Sequence, residues 1–360
     1  MDNGSRLTKA GYAGESRPRW FFPTLIGYPR YRSIMTDVDH YNRDYYVGEE
    51  AQQLRGVLNI VHPVECGLVV NWDAMTKVWS EFFERYFQIN PSEHPILLTE
   101  PPLNPARNRE KMVETLFETF NVPAMFVSMS AGLSFYASGR TTGLVVDMGE
   151  DVTHIVPIHN SVPITQAISR FDIGGGDITD YFRRLHLQRG YTWGHGSVFE
   201  IVRDMKERLC YVALDPENEL ETDQEEQYIL PDGETITAGT ERFLAPEAYF
   251  NPPAMGRDEL ALPEAINNAI QQCDLDIRPV LYQNIVLSGG SSLFPGLMER
   301  LHKEFTTMLP KNLKIQVITL QEGQYGAWIG GSLLSSSIAS KQLWITREDY
   351  KKKGVSVINH

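Results

Sequence analysis

The chain has 360 residues and a formal net charge of −13, with 42% hydrophobic and 22% charged residues. This length allows two or more hydrophobic cores. The ordinary composition excludes a disordered chain, and the acidic balance argues against nucleic acid, whose phosphates need a basic face. No apolar run approaches the ~18 residues of a membrane span, and no apolar signal-peptide region follows Met1. Three widely spaced cysteines, Cys66, Cys210 and Cys273, make no metal-type pair and point to a reducing, intracellular setting.

In chain order, the first feature is an acidic, glycine-containing turn, Asp2-Asn-Gly-Ser-Arg6, followed by Lys9-Ala-Gly11. Arg30–Glu50 carries Tyr31, Tyr41, Tyr45 and Tyr46 among charges without a sustained period, and reads as a long surface loop. Val57–Ile60 and Ile96–Leu98 are short apolar runs bounded by turn or polar residues, as buried strands are. Trp79–Phe87 and Glu110–Phe120 space their apolar residues by three and four, as amphipathic helices do. Leu144–Val146 predicts a strand that ends in a second acidic turn, Asp147-Met-Gly-Glu-Asp151.

Gly174-Gly-Gly-Asp177 predicts a helix start with Asp177 as its N-cap. Glu200–Leu209 again has a helical period, whereas acidic Asp215–Gln227 and proline-bearing Asn251–Leu260 read as surface loops. Ile285–Leu287 predicts a strand running into Ser288-Gly-Gly-Ser-Ser292 and Phe294. Strands feeding helices through glycine-containing turns make the fold class α/β.

Glycine lets backbone N–H groups approach phosphate oxygens, and a concave run of them binds anions. A carboxylate at a strand end, Asp2 or Asp147, can hold a hydrated magnesium ion that bridges phosphates. Lys9 can add a point charge. Taken alone, each tetrapeptide is also a plain β-turn. Two of them, each between strands, suggest a duplicated fold that clamps one nucleotide from both sides. The two glycines after Ser288 can lie against a base or sugar, with Phe294 offering a stacking face; a tight strand–helix turn is the plainer reading. Lys206 and Glu207 read as site residues or as a solvated helix face.

An ordered series extends from Asp2 to about Gly354. It includes Asp2-Asn-Gly-Ser5, Leu97-Leu-Thr-Glu-Pro101, Asn108-Arg-Glu-Lys111, Tyr136-Ala-Ser-Gly-Arg-Thr-Thr-Gly143, Lys206-Glu-Arg-Leu-Cys-Tyr211, Leu287-Ser-Gly-Gly290 and Trp328-Ile-Gly-Gly331. This series resembles the actin and actin-related protein family. Glu118–Met129 and Asn284–Ser291 look most like the centractin subfamily. The resemblance implies a duplicated two-lobed ATPase fold with four subdomains and a central nucleotide cleft. Residues 1–23 with 63–137 and 326–360 would form the first, 24–62 the second, 138–173 with 258–325 the third, and 174–257 the fourth.

Positions matching the family's nucleotide contacts are Gly4, Ser5, Lys9, Gly149, Val152, Gly175, Lys206, Glu207, Gly290, Ser291 and Phe294. Asp2 and Asp147 would meet the magnesium through water, and ATP or ADP would be the nucleotide. The resemblance also implies an apolar strand ahead of the Asp2 turn; without it, backbone groups and apolar surface would be bare.

The sequence departs from the family at the phosphate end. Arg6 and Asp151 stand where glycine is expected, Met148 where a small hydroxylic or thiol residue is, and Glu150 where Asp is. Asp2, Asp147, Glu150 and Asp151 would then place four acids near a triphosphate, at a cost of about a few kcal/mol unless neutralised. Ser130 occupies the position of the glutamine that orients the attacking water; His154 is a second water contact or a structural histidine. Hydrolysis is therefore expected to be slow or absent.

These features imply a cytoplasmic, cytoskeletal subunit that assembles with itself or other actin-family chains, or with dynactin components, and is at most a weak ATPase. Tyrosine in the Arg30–Glu50 loop fits a subunit contact. A divergent conventional actin, a chromatin-remodelling subunit and a small-substrate kinase of the same ATPase clan are the alternatives.

Overall fold

A computed structural model describes residues 1–30, 43–191, 198–222, 224–337 and 342–359. The chain divides into two compact units, Met1–Ala137 with Tyr325–His360, and Ser138–Gln324. Helix accounts for 45% and strand for 21%, so the α/β class holds.

The first unit opens with an antiparallel sheet of β1 (Asp2–Asn3), β2 (Leu7–Ala10) and β3 (Trp20–Pro23). A second small sheet sets β4 (Ile26–Pro29) between β5 (Tyr46–Val47) and β6 (Leu58–Val61), with α1 (Gly48–Gln53) directly after β5. The hairpin of β7 (Val64–Glu65) and β8 (Leu68–Val69) leads into α2 (Trp72–Glu81). The Asn71 side chain caps α2 by accepting the Ala74 N–H, and Ala74, Met75, Val78 and Trp79 form its buried stripe.

Next, β9 (Ile96–Glu100), α3 (Ala106–Glu114) and β10 (Ala124–Met129) make a parallel crossover, and β10 runs into α4 (Ser130–Ala137). Ile345–Thr346 flanks β10 from the far end of the chain. The helix Gly326–Ser336 packs on α4 so closely that a Cβ at Gly330 would lie 1.8 Å from the Leu133 carbonyl oxygen. The Met1 backbone runs parallel to β9, donating to Leu97 and accepting from Thr99. Beyond it lies a cavity of about 200 Å³ walled by Phe83, Phe87, Trp328 and Trp344.

Two helix readings change in detail. The segment expected over Trp79–Phe87 begins at Trp72, and its Phe82–Phe87 end widens to π-type turns. Likewise α3 ends at Glu114 and continues as π turns over Thr115–Thr119. Such turns add a residue per turn and re-aim bulky side chains. Phe82, Phe83, Leu116 and Phe117 are all buried there in one core with Trp79. The loop reading of Arg30–Glu50 also fails at its end. Tyr46 and Val47 are buried strand residues, and Tyr46 packs with Leu25, Ala51 and Leu58 rather than offering an interface. Tyr31 and Tyr41 lie outside the described residues.

The second unit is built on one larger sheet. In it β11 (Gly143–Met148), β12 (Thr153–His159), β13 (Val162–Pro163), β14 (Ser169–Phe171), β17 (Ile285–Ser288) and β18 (Val317–Thr319) take the order β13–β12–β11–β17–β18, with β14 also on β12. The β11–β12 pair is an antiparallel hairpin, whereas β11, β17 and β18 are parallel. Helices α5 (Gly175–Gln188) and α6 (Val198–Leu209) pack together, and β15 (Glu226–Ile229) pairs with β16 (Thr235–Ala238). One core holds Val146, Phe182, Met205, Tyr249, Ile266 and Phe305.

Candidate functional site

In the second unit, β11 and β12 meet with Asp147 opposite His154 and Met148 opposite Thr153. Ser288, at the end of β17, flanks Asp147 on the other side. The Gly149 N–H closes the turn on the Val152 carbonyl at 3.0 Å. The turn then docks on the start of α5: its Gly149 and Glu150 carbonyls accept the Gly175 and Gly176 N–H groups at 2.9 and 2.7 Å. Gly174, not Asp177, is the N-cap; Asp177 sits three residues in and accepts the Gly174 N–H at 3.0 Å. The Gly175 and Gly176 amides, which would otherwise draw an anion to this helix end, are therefore satisfied within the chain.

Gly175 is the hub of a cluster drawn from four distant segments. A Cβ there would meet Ser291 Oγ at 2.6 Å, Glu150 Oε2 at 3.3 Å and Lys206 Nζ at 3.5 Å. A side chain there would have to displace the Ser291 hydroxyl. Lys206 is 4% exposed, donates to the Gly175 carbonyl at 2.9 Å, and lies 5.9 Å from the Phe294 ring centroid. Ser291 donates to the Gly149 carbonyl at 3.4 Å, and Phe294 packs beside buried Tyr249. Gly290, by contrast, faces open space, so its backbone is free for close approach. The solvated-face reading is thus overturned for Lys206 and holds for Glu207, which is exposed one residue on. Val152 reaches this place through its carbonyl while its side chain is buried.

The charge problem expected at Glu150 is solved by a residue that the motifs did not mark as a site contact. Arg203, 7% exposed, holds Glu150 at 2.7 Å and Glu200 at 2.6 Å, with its guanidinium 4.9 Å from the Phe199 ring centroid. Its position three before Lys206, on the same face of α6, is the signal that marks it. Burial pulls His154 down to about 4, helped by Arg170 and opposed by Asp172. It is therefore neutral at physiological pH.

The first unit carries a hairpin of the same pattern. Asp2 stands opposite Lys9 and Asn3 opposite Thr8, and the Gly4 N–H closes on the Leu7 carbonyl at 3.1 Å. Lys9 donates to Asp2 at 2.9 Å, and the Thr99 hydroxyl donates to its other oxygen at 2.8 Å. Burial pushes Asp2 up, but Lys9 and Thr99 outweigh it and hold the carboxyl below its ordinary value. The Ser5 hydroxyl accepts the Gly67 N–H at 3.0 Å. Ser130 opens α4, directly after β10.

Among the described residues, no group of three His, Cys, Asp or Glu side chains stands close enough to hold a metal directly. A magnesium ion that keeps its waters and leans on a single carboxylate such as Asp147 fits this donor set. Nor is any described helix long and apolar enough to cross a membrane.

The repeated hairpins, the parallel strands beside them and the glycine-centred cluster agree with the comparison against known families, in which the family model described as Actin matches residues 1–360. With every residue inside that match, the chain belongs to the actin family.

Proposed function

We propose that this chain binds ATP or ADP with magnesium and acts as a structural subunit of a cytoskeletal filament or complex, in the manner of the centractin subfamily and its place in dynactin. The cluster around Gly175 supports this reading. It sets one buried cation, Lys206, beside an aromatic face, a hydroxyl and an open glycine backbone, the mixture that a sugar, a base and phosphate require. Asp147 would meet the magnesium's waters, and the ion would supply positive charge to the phosphates. The Asp2 hairpin with Gly4, Ser5 and Lys9 would serve the same nucleotide, within the four-subdomain division expected from the family. Assembly with itself or other actin-family subunits, in the cytoplasm, belongs to the same proposal.

Hydrolysis would be slow. Ser130 is too short to orient a water as a glutamine does, and His154 is neutral and can act only as a hydrogen-bonding contact.

Mass spectrometry of nucleotide released from the denatured protein tests the reading. Near-stoichiometric ATP is the expected result, falling by about tenfold or more in Lys206→Ala, since a hydrogen bond from a charged group is lost. A folded protein that carries and takes up no nucleotide would sink it.

A further inference from the structure

Tyr249 ends the helical turn Pro246–Tyr249 of the second unit and is 0% exposed, yet its hydroxyl makes no hydrogen bond among the described residues. Buried tyrosine hydroxyls ordinarily find a partner, because an unmade bond leaves the loss of water uncompensated. The ring packs against Phe171 and Phe294, each with its centroid 6.4 Å away, which fixes it beside the Gly175 cluster. Ser291, Glu150 and Asp177 are the polar groups that act on it there. Both carboxylates are already engaged, Glu150 by Arg203 and Asp177 by Arg257 and the Gly174 N–H. Ser291, 8% exposed, donates to the Gly149 carbonyl over a long 3.4 Å, and that carbonyl already accepts the Gly175 N–H at 2.9 Å. Burial pushes the ionisation of Tyr249 up, so it stays a hydrogen-bond donor at ordinary pH.

A hydroxyl both donates and accepts. Ser291 can therefore leave the shared Gly149 carbonyl, offer its hydrogen to a better acceptor, and take the Tyr249 hydrogen on its own oxygen. We propose that Tyr249 is a positioning residue for bound nucleotide: its O–H donates to Ser291 Oγ while Ser291 donates to an acceptor oxygen of the nucleotide. The inference rests on the nucleotide reading above and adds to it a residue that touches no ligand. Binding then completes two hydrogen bonds, one on the nucleotide and one inside the protein, and each hydroxyl polarises the next. With Tyr249 donating, Ser291 is held as a donor too. The position thus favours an oxygen that carries no hydrogen, as phosphate oxygens do, over an amino group.

The test titrates ATP with magnesium into nucleotide-stripped protein and records the melting temperature of the same samples before nucleotide is added. Tyr249→Phe removes only the hydroxyl. It should weaken ATP binding by about fivefold. The melting temperature without nucleotide should stay level or rise, since the empty protein loses no bond. In a Ser291→Ala background the same change should weaken binding no further. In Ser291→Thr, which keeps a hydroxyl, the fivefold loss should persist. Unchanged affinity in Tyr249→Phe overturns the proposal. So does a lowered melting temperature, or an equal loss with and without the Ser291 hydroxyl. If the unaltered protein takes up no ATP, the nucleotide reading itself fails, and this inference with it.

Discussion

In the first unit Asp2 stands opposite Lys9, Asn3 opposite buried Thr8, and the turn closes from Gly4 to Leu7. In the second Asp147 stands opposite His154, Met148 opposite buried Thr153, and the turn closes from Gly149 to Val152. Position for position the backbones agree, but their charges differ in the turn, where Ser5-Arg6 answers Glu150-Asp151, and opposite the aspartate, where Lys9 answers His154. In the first hairpin Lys9 pairs with Asp2 at 2.9 Å. His154, pulled to about 4 by burial, is the neutral residue that stands in the lysine's place in the second hairpin. A repeated scaffold can thus set either a lysine or a neutral histidine across from the same aspartate.

The strongest way to break this comparison is at Lys9. Lys9→Met leaves the buried Asp2 carboxylate without its cation, and should cost about 3–5 kcal/mol in urea denaturation at pH 7. The double variant Asp2→Asn, Lys9→Met should recover most of that loss. An equal loss in both would show that packing, not charge, sets the effect.

Acid should act on the other hairpin. Unfolded His154 takes up a proton as pH falls through 6.5, but the folded residue does so only near 4. Between those values the unfolded chain binds more protons, so stability falls as pH falls, by about 3 kcal/mol in all. His154→Gln should flatten that part of the stability-versus-pH curve, and His154→Lys should move the second hairpin toward the first. Unchanged acid sensitivity in both variants would place the titration elsewhere.

A smaller effect is expected on rate. Ser130→Gln should raise nucleotide hydrolysis by about tenfold, equivalent to about 1.4 kcal/mol, by restoring a group long enough to orient water. Phosphate release measured in both proteins decides this; equal rates would mean that Ser130 does not limit turnover. The least is expected at Ser5. Its Ser5→Ala variant loses only the hydroxyl that accepts the Gly67 N–H, for about 1 kcal/mol in the same urea series.

Much of this arrangement was legible in the residues themselves. Asp-x-Gly predicts each turn, because glycine and a carboxylate suit a tight hairpin. Helical spacing in Glu200–Leu209 places Lys206, but spacing alone leaves open whether it faces water or Gly175. The pairing of Glu150 with Arg203 spans 53 residues, and no local period announces it. Nor does a pattern of apolar positions show that Tyr46, flanked by charges and tyrosines, is drawn into a core with Leu25 and Leu58.

The sequence by itself determined the α/β class, the family, the two acidic hairpins and most residues gathered around Gly175. These rest on short-range rules of turn chemistry and periodicity, or on motifs kept in order along the chain. Tertiary structure alone decided which charges are neutralised, which helix amides are already satisfied, and how far burial shifts His154. Those properties depend on distance and on exclusion of water, and both arise only when distant segments pack together.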